Sequence, residues 1–154
     1  MGFQINEALL LQYPREQIFQ FFSDARNLGR LTPGWLRFSI RSDLPIEMGE
    51  GTVIRYRIWI RGIPVNWTSE ITEWRPPFEF CDVQRRGPYR FWIHRHIFEP
   101  VPGGTRVIDR VDYDVPGGAV VNRLFVAGEL RKIFAYRKAK LVEQFSQKKT
   151  RSRP

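Results

Sequence analysis

A change in hydrophobic period at Pro116-Gly117-Gly118 constrains the fold of this chain more than any other feature of its sequence. Before this point, apolar residues recur at every second position in short runs, which is the spacing of half-buried strands. After it they recur at helical spacing for roughly 30 residues, enough for a helix about 45 Å long. A helix of that length needs a partner surface, and the concave face of the preceding sheet provides one. The apolar face of the predicted helix, from Gly118 to Phe145, consists of Leu124, Ala127, Leu130, Phe134, Leu141 and Phe145.

Seven strand-like runs precede this helix, and the first of them is Gly2–Tyr13. Two short helices are predicted next, one over 14–22, beginning at Pro14, and one ending at Leu31. The later runs are separated by short connections rich in glycine and proline, so successive strands should pair in an antiparallel meander. The predicted fold class is therefore α+β. The later strands are predicted at Trp35–Arg41, Thr52–Arg61, Val65–Trp74, Phe78–Gln84, Tyr89–Phe98 and Thr105–Val115.

Length and composition predict one folded domain over residues 1–146. A chain of 154 residues that is 42% hydrophobic is long enough and apolar enough to bury one core. A basic, flexible tail is predicted over 147–154, where Lys148, Lys149, Arg151 and Arg153 lie. A single cysteine, Cys81, excludes an internal disulfide and a cysteine-based zinc site.

The formal net charge of +9 raises the question of an anionic partner. Arg55, Arg57 and Arg61 alternate along one run with Trp59 between them, a pattern that can hold nucleic acid. No nucleic-acid-binding motif accompanies it, so that partner is not predicted. Peripheral membrane contact through this basic face stays open, and no pattern indicates an oligomeric state. No apolar run approaches the roughly 18 residues of a membrane span, and no secretory signal is evident, so we expect a cytoplasmic protein.

The run Tyr89–Phe98 contains both histidines of the chain. In a strand, alternate residues share a face, which places these histidines beside two large aromatic side chains. A face of that composition is typical of a small-molecule pocket. The alternation alone leaves the orientation of this strand open, because its other face (Phe91, Ile93 and Ile97) is also apolar. The face predicted to point inward consists of Trp92, His94, His96 and Phe98.

The same alternation places further candidates on the inner face of the sheet. We expect a cavity of roughly 300–1,000 Å³ between sheet and helix. Its predicted lining is Tyr56, Trp67, Trp92, His94, Asp109 and Tyr113. The full set of candidate ligand-binding residues is Tyr56, Trp67, Asp82, Trp92, His94, His96, Asp109, Tyr113, Phe134 and Arg137.

Three kinds of chemistry are open to the histidines. They could hold a metal with Asp109 or Asp82 as third ligand, but a His-x-His pair is a weak signal, and neither a metal nor any other cofactor is predicted. They could simply satisfy buried carboxylates through hydrogen bonds. They could also move protons on an enolisable substrate, which makes His94, His96 and Asp109 the catalytic candidates.

Arg137 lies on or next to the apolar stripe of the helix. An arginine there should form an ion pair with Asp109 or Asp82, or meet an anionic ligand head group.

The order of these elements resembles the helix-grip fold of the START and birch-pollen-allergen superfamily, often labelled SRPBCC. The residues from Trp67 to Phe98, including Trp74-Arg75-Pro76-Pro77 and Arg86-Gly87-Pro88, resemble its polyketide cyclase/dehydrase-like branch. The pattern is also similar to the small domain fused to some nucleotide-sugar-epimerase-like proteins. The resemblance covers residues 3–146. It implies a curved antiparallel sheet of about seven strands wrapped around the C-terminal helix, with a deep apolar cavity between them.

The resemblance and the residues together suggest two functions. The first is a binding or carrier protein for a hydrophobic small molecule, such as a lipid, a polyketide or an isoprenoid-like compound. The alternative is a cyclase, dehydratase or isomerase that uses His94 or His96 with Asp109 as an acid–base pair. The binding function is favoured over an enzymatic one, since no nucleophile constellation is present and Cys81 should point away from the Asp82 face.

Overall fold

The computed structural model describes residues 2–151, with side chains described for residues 2–146. β1 (Phe3–Leu11) leads into two short helices, α1 (Arg15–Phe22) and α2 (Leu28–Leu31). The chain ends in a helical segment that comprises α3 (Gly118–Val121), a π-helical stretch over 122–126 and α4 (Ala127–Arg151). The strands between these helices are β2 (Ser39–Ile40), β3 (Val53–Ile60), β4 (Ile63–Arg75), β5 (Glu79–Arg86), β6 (Phe91–Val101) and β7 (Gly104–Asp114).

The described residues form a seven-stranded antiparallel sheet with strand order β1-β7-β6-β5-β4-β3-β2. The first strand therefore closes onto the last, from Phe3 opposite Tyr113 to Leu11 opposite Thr105. Two register irregularities interrupt the pairing of β4 with β5. Such bulges increase the bend and twist of a sheet, which lets this one curve around α4. The predicted α+β helix-grip fold is confirmed.

The C-terminal helix is held by apolar side chains at helical spacing. Phe134 and Leu141, seven residues apart, are both buried against the sheet. Phe134 belongs to a cluster with Trp67 and Trp92, whereas Leu141 belongs to a second cluster around α1 with Phe98. These two clusters anchor different stretches of α4, and His96 and His94 lie between them, against Phe80 and Phe134 respectively.

The predicted burial of Leu124 is wrong, because its side chain is 62% exposed. Residues 122–126 are π-helical, and a π-turn adds a residue to the repeat, which rotates the side chains that follow. Asn122 points inward instead and accepts a hydrogen bond from the Tyr113 hydroxyl at 2.8 Å. Two residues with left-handed backbone, Gly117 (φ 90°) and Gly118 (φ 63°), turn the chain from β7 into this segment.

The predicted strand Trp35–Arg41 is also mostly wrong. Only Ser39–Ile40 pairs as a strand, while Gly34–Leu36 forms a 3₁₀ turn. The backbone of Arg37 then adopts a left-handed conformation (φ 47°), which ends the turn and prevents one continuous extended segment.

Across the part of the chain that the structure describes, no helix is both long and apolar enough to cross a membrane. The basic tail predicted over 147–154 lies outside the residues whose side chains are described, although the backbone of α4 continues to Arg151. Its flexibility stays a prediction.

Candidate functional site

A cavity of about 850 Å³ lies between the sheet and the C-terminal helical segment. Its volume falls within the predicted range and is typical of small-molecule sites. Its lining includes Arg61 and Gly62 in the turn after β3 and Phe125 on the π-helical stretch, and the Arg61 guanidinium lies 5.2 Å from the centroid of the Phe125 ring. Its lining combines aliphatic residues with nine aromatic ones, Trp35, Phe38, Tyr56, Trp59, Trp67, Tyr89, Trp92, Phe125 and Phe134.

Four aromatic side chains brace one another along this wall. Tyr56 on β3 lies directly opposite Trp67 on β4, and their rings stack with centroids 5.7 Å apart. Trp92 on β6 meets Trp67 edge to face at 5.6 Å, and Tyr89 packs against both tryptophans. Offset and edge-to-face pairs of this kind fix ring orientations, so this part of the cavity wall is preformed.

The deep end of the cavity contains two histidines, each bonded to a carboxylate. Nε2 of His94 lies 2.8 Å from Oδ1 of Asp109, and Nε2 of His96 lies 2.6 Å from Oδ2 of Asp82. The two imidazole rings stack with centroids 3.7 Å apart. Phe80 stacks on His96 at 4.0 Å. The rings therefore form a column of three that holds both histidines against rotation.

Arg137 reaches this group from α4 and fixes its protonation. Its Nε and Nη2 atoms donate to the two oxygens of Asp109, each at 3.3 Å, and Nη2 also lies 3.2 Å from Nδ1 of His96. A guanidinium can only donate, so Nδ1 of His96 must accept, and the proton of this imidazole sits on Nε2 and is donated to Asp82. An ionised carboxylate can only accept, so His94 donates its Nε2 proton to Asp109.

The electrostatics agree with this assignment. Burial alone would raise the pKa of Asp109, but the Arg137 guanidinium and the hydrogen bond from His94 hold that pKa well below its ordinary value. Burial, with the neighbouring His94, lowers the pKa of His96 to about 4. Burial likewise opposes ionisation of Asp82, yet the hydrogen bond from His96 lowers its pKa. At neutral pH both carboxylates are therefore ionised and His96 is neutral.

The same group contains a possible set of metal ligands. Donor atoms of Asp82, His94 and His96 lie within 4.8 Å of one another. A metal on Nε2 of His96 would displace its proton to Nδ1, where it would face the N–H groups of Arg137 at 3.2 Å. The position of Arg137 therefore disfavours a metal ion, since binding one would set two donors against each other.

Most of the predicted ligand-binding residues line the cavity, but Asp109 and Tyr113 do not. Asp109 is covered by His94 and Arg137, both of which it contacts. Tyr113 packs beneath Trp92. The structure also shows which face of β6 points inward. Phe91 and Ile93, on the other face, are more than a third exposed. The residues that do line the cavity are Tyr56, Trp67, Asp82, Trp92, His94, His96, Phe134 and Arg137.

Several lining residues were not predicted from the sequence. Trp59 alternates with Ile58 and Ile60 and shares the positions of Arg55, Arg57 and Arg61, which predicts the outer face of β3. It nevertheless lines the cavity, with the Arg37 guanidinium 5.6 Å from the centroid of its ring. Tyr89 was read as the start of a strand, yet it lies in the turn before β6. The amide of Gln84 bonds both backbone polar groups of Tyr89. The sequence feature that could have indicated these hydrogen bonds is Gln84 itself, an inward-facing glutamine shortly before the Gly87-Pro88 turn.

The fold defines a helix-grip protein with a cavity between its sheet and its C-terminal helix. The chain belongs to the family described as polyketide cyclase / dehydrase and lipid transport, whose model matches residues 11–136. No curated protein matches the sequence.

Solved structures with the same fold are distant in sequence. The Zhui aromatase/cyclase from Streptomyces sp. R1128 is 12% identical, with 96% of this chain and 95% of that chain covered and a TM-score of 0.75. Ara h 8.0201 is 13% identical, with 96% and 99% covered and a TM-score of 0.69. A nucleoside-diphosphate sugar epimerase from Corynebacterium glutamicum is 21% identical over 90% of this chain but 28% of that chain, with a TM-score of 0.67. At these identities the likeness shows the fold alone.

Proposed function

We propose that this protein binds and carries a hydrophobic small molecule, such as a lipid, a polyketide or an isoprenoid-like compound. One observation carries the proposal, the cavity of about 850 Å³ with its preformed aromatic wall. Removing apolar surface from water contributes about 25 cal/mol per Å², so a largely apolar ligand would gain most of its affinity from this wall. The polar group at the deep end would orient the ligand.

The hydrogen bonding of this polar group favours carrying over catalysis. Both nitrogens of His96 are used, one by Asp82 and one by Arg137. Both oxygens of Asp109 are used as well. A general acid or base needs a free atom within reach of the substrate, and these atoms are occupied by the protein.

A second function is supported by one histidine nitrogen that the protein leaves without a hydrogen bond. Among the described residues, Nδ1 of His94 has no hydrogen-bond partner, and His94 lines the cavity. Asp109 would orient this imidazole, as the acid does in other His–Asp pairs. An enzyme of the cyclase, dehydratase or isomerase kind, with His94 moving the proton, is therefore the alternative. The family description, which names both cyclases and lipid transport, accommodates either function.

Native mass spectrometry of protein purified without detergent tests the binding proposal. A matched pair of variants on α4 distinguishes cavity binding from surface binding. Ile133 lines the cavity, whereas Val142 is 43% exposed and lies outside it. We expect wild-type protein and Val142→Trp to retain a bound molecule and Ile133→Trp to retain less of it, because the new indole takes up part of the cavity. Equal retention by all three proteins would contradict the proposal.

A further inference from the structure

We propose that the ligand of this cavity presents a neutral hydrogen-bond donor, such as a hydroxyl group, and that the cavity rejects carboxylates. This inference rests on the proposed function and adds the chemical class of the ligand. Its basis is one carboxylate at the deep end of the cavity, Asp82, which the protein satisfies only in part.

Asp82 has one bonded oxygen and one free oxygen. Oδ2 accepts the Nε2 proton of His96 at 2.6 Å. Oδ1 accepts no hydrogen bond from any residue that the structure describes, and the side chain, which lines the cavity, is 23% exposed. An ionised carboxylate accepts several hydrogen bonds and offers none. A ligand hydroxyl could therefore donate to Oδ1, whereas a ligand carboxylate would place acceptor against acceptor.

The charges at this end of the cavity also favour a neutral ligand over a carboxylate. Arg137 contacts both oxygens of Asp109, so the guanidinium is already matched by a carboxylate. Asp82 has no basic partner within ion-pair distance among the described residues apart from His96, which is neutral. Among Asp82, Asp109, Arg137 and the neutral His96, two carboxylates and one guanidinium carry one net negative charge. A second anion brought into this low-dielectric site would be repelled.

Neighbouring polar atoms can bind a neutral ligand but do not supply a positive charge to balance an anionic one. Burial, with the nearby Asp82 carboxylate, raises the pKa of Tyr56 well above its ordinary value, so its phenol remains a neutral donor. The indole nitrogen of Trp67 is buried with no hydrogen-bond partner. Nη1 of Arg137 also has no partner among the described residues, but its charge is shared with Asp109. The Tyr56 hydroxyl and Nη1 of Arg137, on residues that line the cavity, can bind carbonyl or hydroxyl oxygens on the same molecule.

Two ligands with one ring system test the inference. 2-Naphthol is neutral at about pH 8 and 2-naphthoate is anionic, and at this pH ordinary histidines are uncharged. Isothermal titration calorimetry should show wild-type protein binding 2-naphthol at least about tenfold more tightly than 2-naphthoate. A tenfold difference in affinity corresponds to the loss of about one hydrogen bond to a charged group. Asp82→Asn keeps the shape of the side chain but removes its charge, so it should reduce this preference about fivefold or more. Asp112→Asn, at a carboxylate that accepts from Gln4 in an exposed position, is the matched control and should leave the preference unchanged.

Two results would overturn the inference. The first is equal or tighter binding of 2-naphthoate by wild-type protein, a result that does not depend on any variant folding. The second is an unchanged preference in Asp82→Asn. Titration with N-phenyl-1-naphthylamine, a neutral apolar dye, separates this failure from failure of the proposed function. If the dye binds while 2-naphthol is not preferred, only the ligand class is wrong. If none of the three aromatic compounds binds, the proposed function is wrong and the inference fails with it.

Discussion

His94 on β6 donates to Asp109 on β7, although the residue directly opposite His94 on that strand is Val111. Asp109 lies opposite His96 instead. The same crossing occurs on the other side of β6, where Asp82 lies opposite His94 but accepts a hydrogen bond from His96. Diagonal neighbours on one face of a sheet lie within reach of long side chains. Each histidine thus bonds the carboxylate diagonally across from it, and these hydrogen bonds link β5, β6 and β7 through one polar group.

Loss of Arg137 should be costly because Asp109 would be left buried without a counter-charge. We expect Arg137→Met to lower the free energy of unfolding by about 3–5 kcal/mol in urea titrations. Lys138→Met is the control, since Lys138 pairs with Glu7 at the surface and such pairs contribute about 0–1 kcal/mol. The double variant Arg137→Met/Asp109→Asn should recover part of the loss. Equal effects of the two single variants would contradict the role given to Arg137.

Acidification should destabilise the fold through His96. Its pKa is about 4 in the folded protein and 6.5 ordinarily, so the unfolded chain binds the extra proton between these values. The contribution of neutral His96 to the free energy of unfolding is fully present above about pH 6.5. It is lost as the pH falls toward 4, at up to about 1.4 kcal/mol per pH unit for one proton. The lowered pKa values of Asp82 and Asp109 extend the loss to lower pH. An NMR titration of His96 with a midpoint near 6.5 would refute this assignment.

Truncation of Phe134 should lower the free energy of unfolding far more than truncation of Leu124, although the sequence predicts both on the buried face of the helix. Phe134 is 4% exposed, so Phe134→Ala should cost about 3–5 kcal/mol in denaturant unfolding. Leu124 is 62% exposed on the π-helical stretch, so Leu124→Ala should change stability by no more than about 0.5 kcal/mol. A large loss in Leu124→Ala would show that the helical phase through residues 122–126 is wrong.

Asp109→Asn separates the two proposed functions. In a carrier, the substitution disturbs the orientation of His94, and the affinity for the co-purified molecule should fall without any turnover being lost. In an enzyme, the rate should fall much more than the affinity, since the acid–base pair acts in the transition state. We expect the first outcome. Turnover of the co-purified molecule by wild-type protein, lost in Asp109→Asn, would favour the enzyme.

The sequence was sufficient to predict the architecture because the signals were local and repeated. Glycine and proline mark most connections, alternation marks every strand except the two-residue β2, and the helical period after Gly118 is long. The inward face of β6 was only partly predictable, since both of its faces are apolar. The structure shows what decides it: the two histidines need carboxylates, and Asp82 and Asp109 flank them on the neighbouring strands.

Other features depend on geometry that the sequence does not carry. The π-helical stretch has no residue signature here, and it exchanged Leu124 for Asn122 on the inner face. The pairing of each histidine with the diagonal carboxylate could not be chosen from spacing, because both carboxylates were within reach. The contribution of Trp59 to the cavity lining depends on how the sheet curves rather than on alternation.

The indole N–H resonances of the tryptophans report directly on whether a hydrophobic molecule binds inside the fold. Trp35, Trp59, Trp67 and Trp92 line the cavity, whereas Trp74 packs against Phe19 and Phe80 on the other side of the polar group. The indole N–H resonances of ¹⁵N-labelled protein should therefore be followed while N-phenyl-1-naphthylamine is added. We expect saturable shifts for the four lining tryptophans, largest for Trp67 and Trp92, with Trp74 nearly unchanged. Saturating dye that leaves Trp67 and Trp92 unmoved, or that moves Trp74 as much as these two, would contradict binding inside the fold.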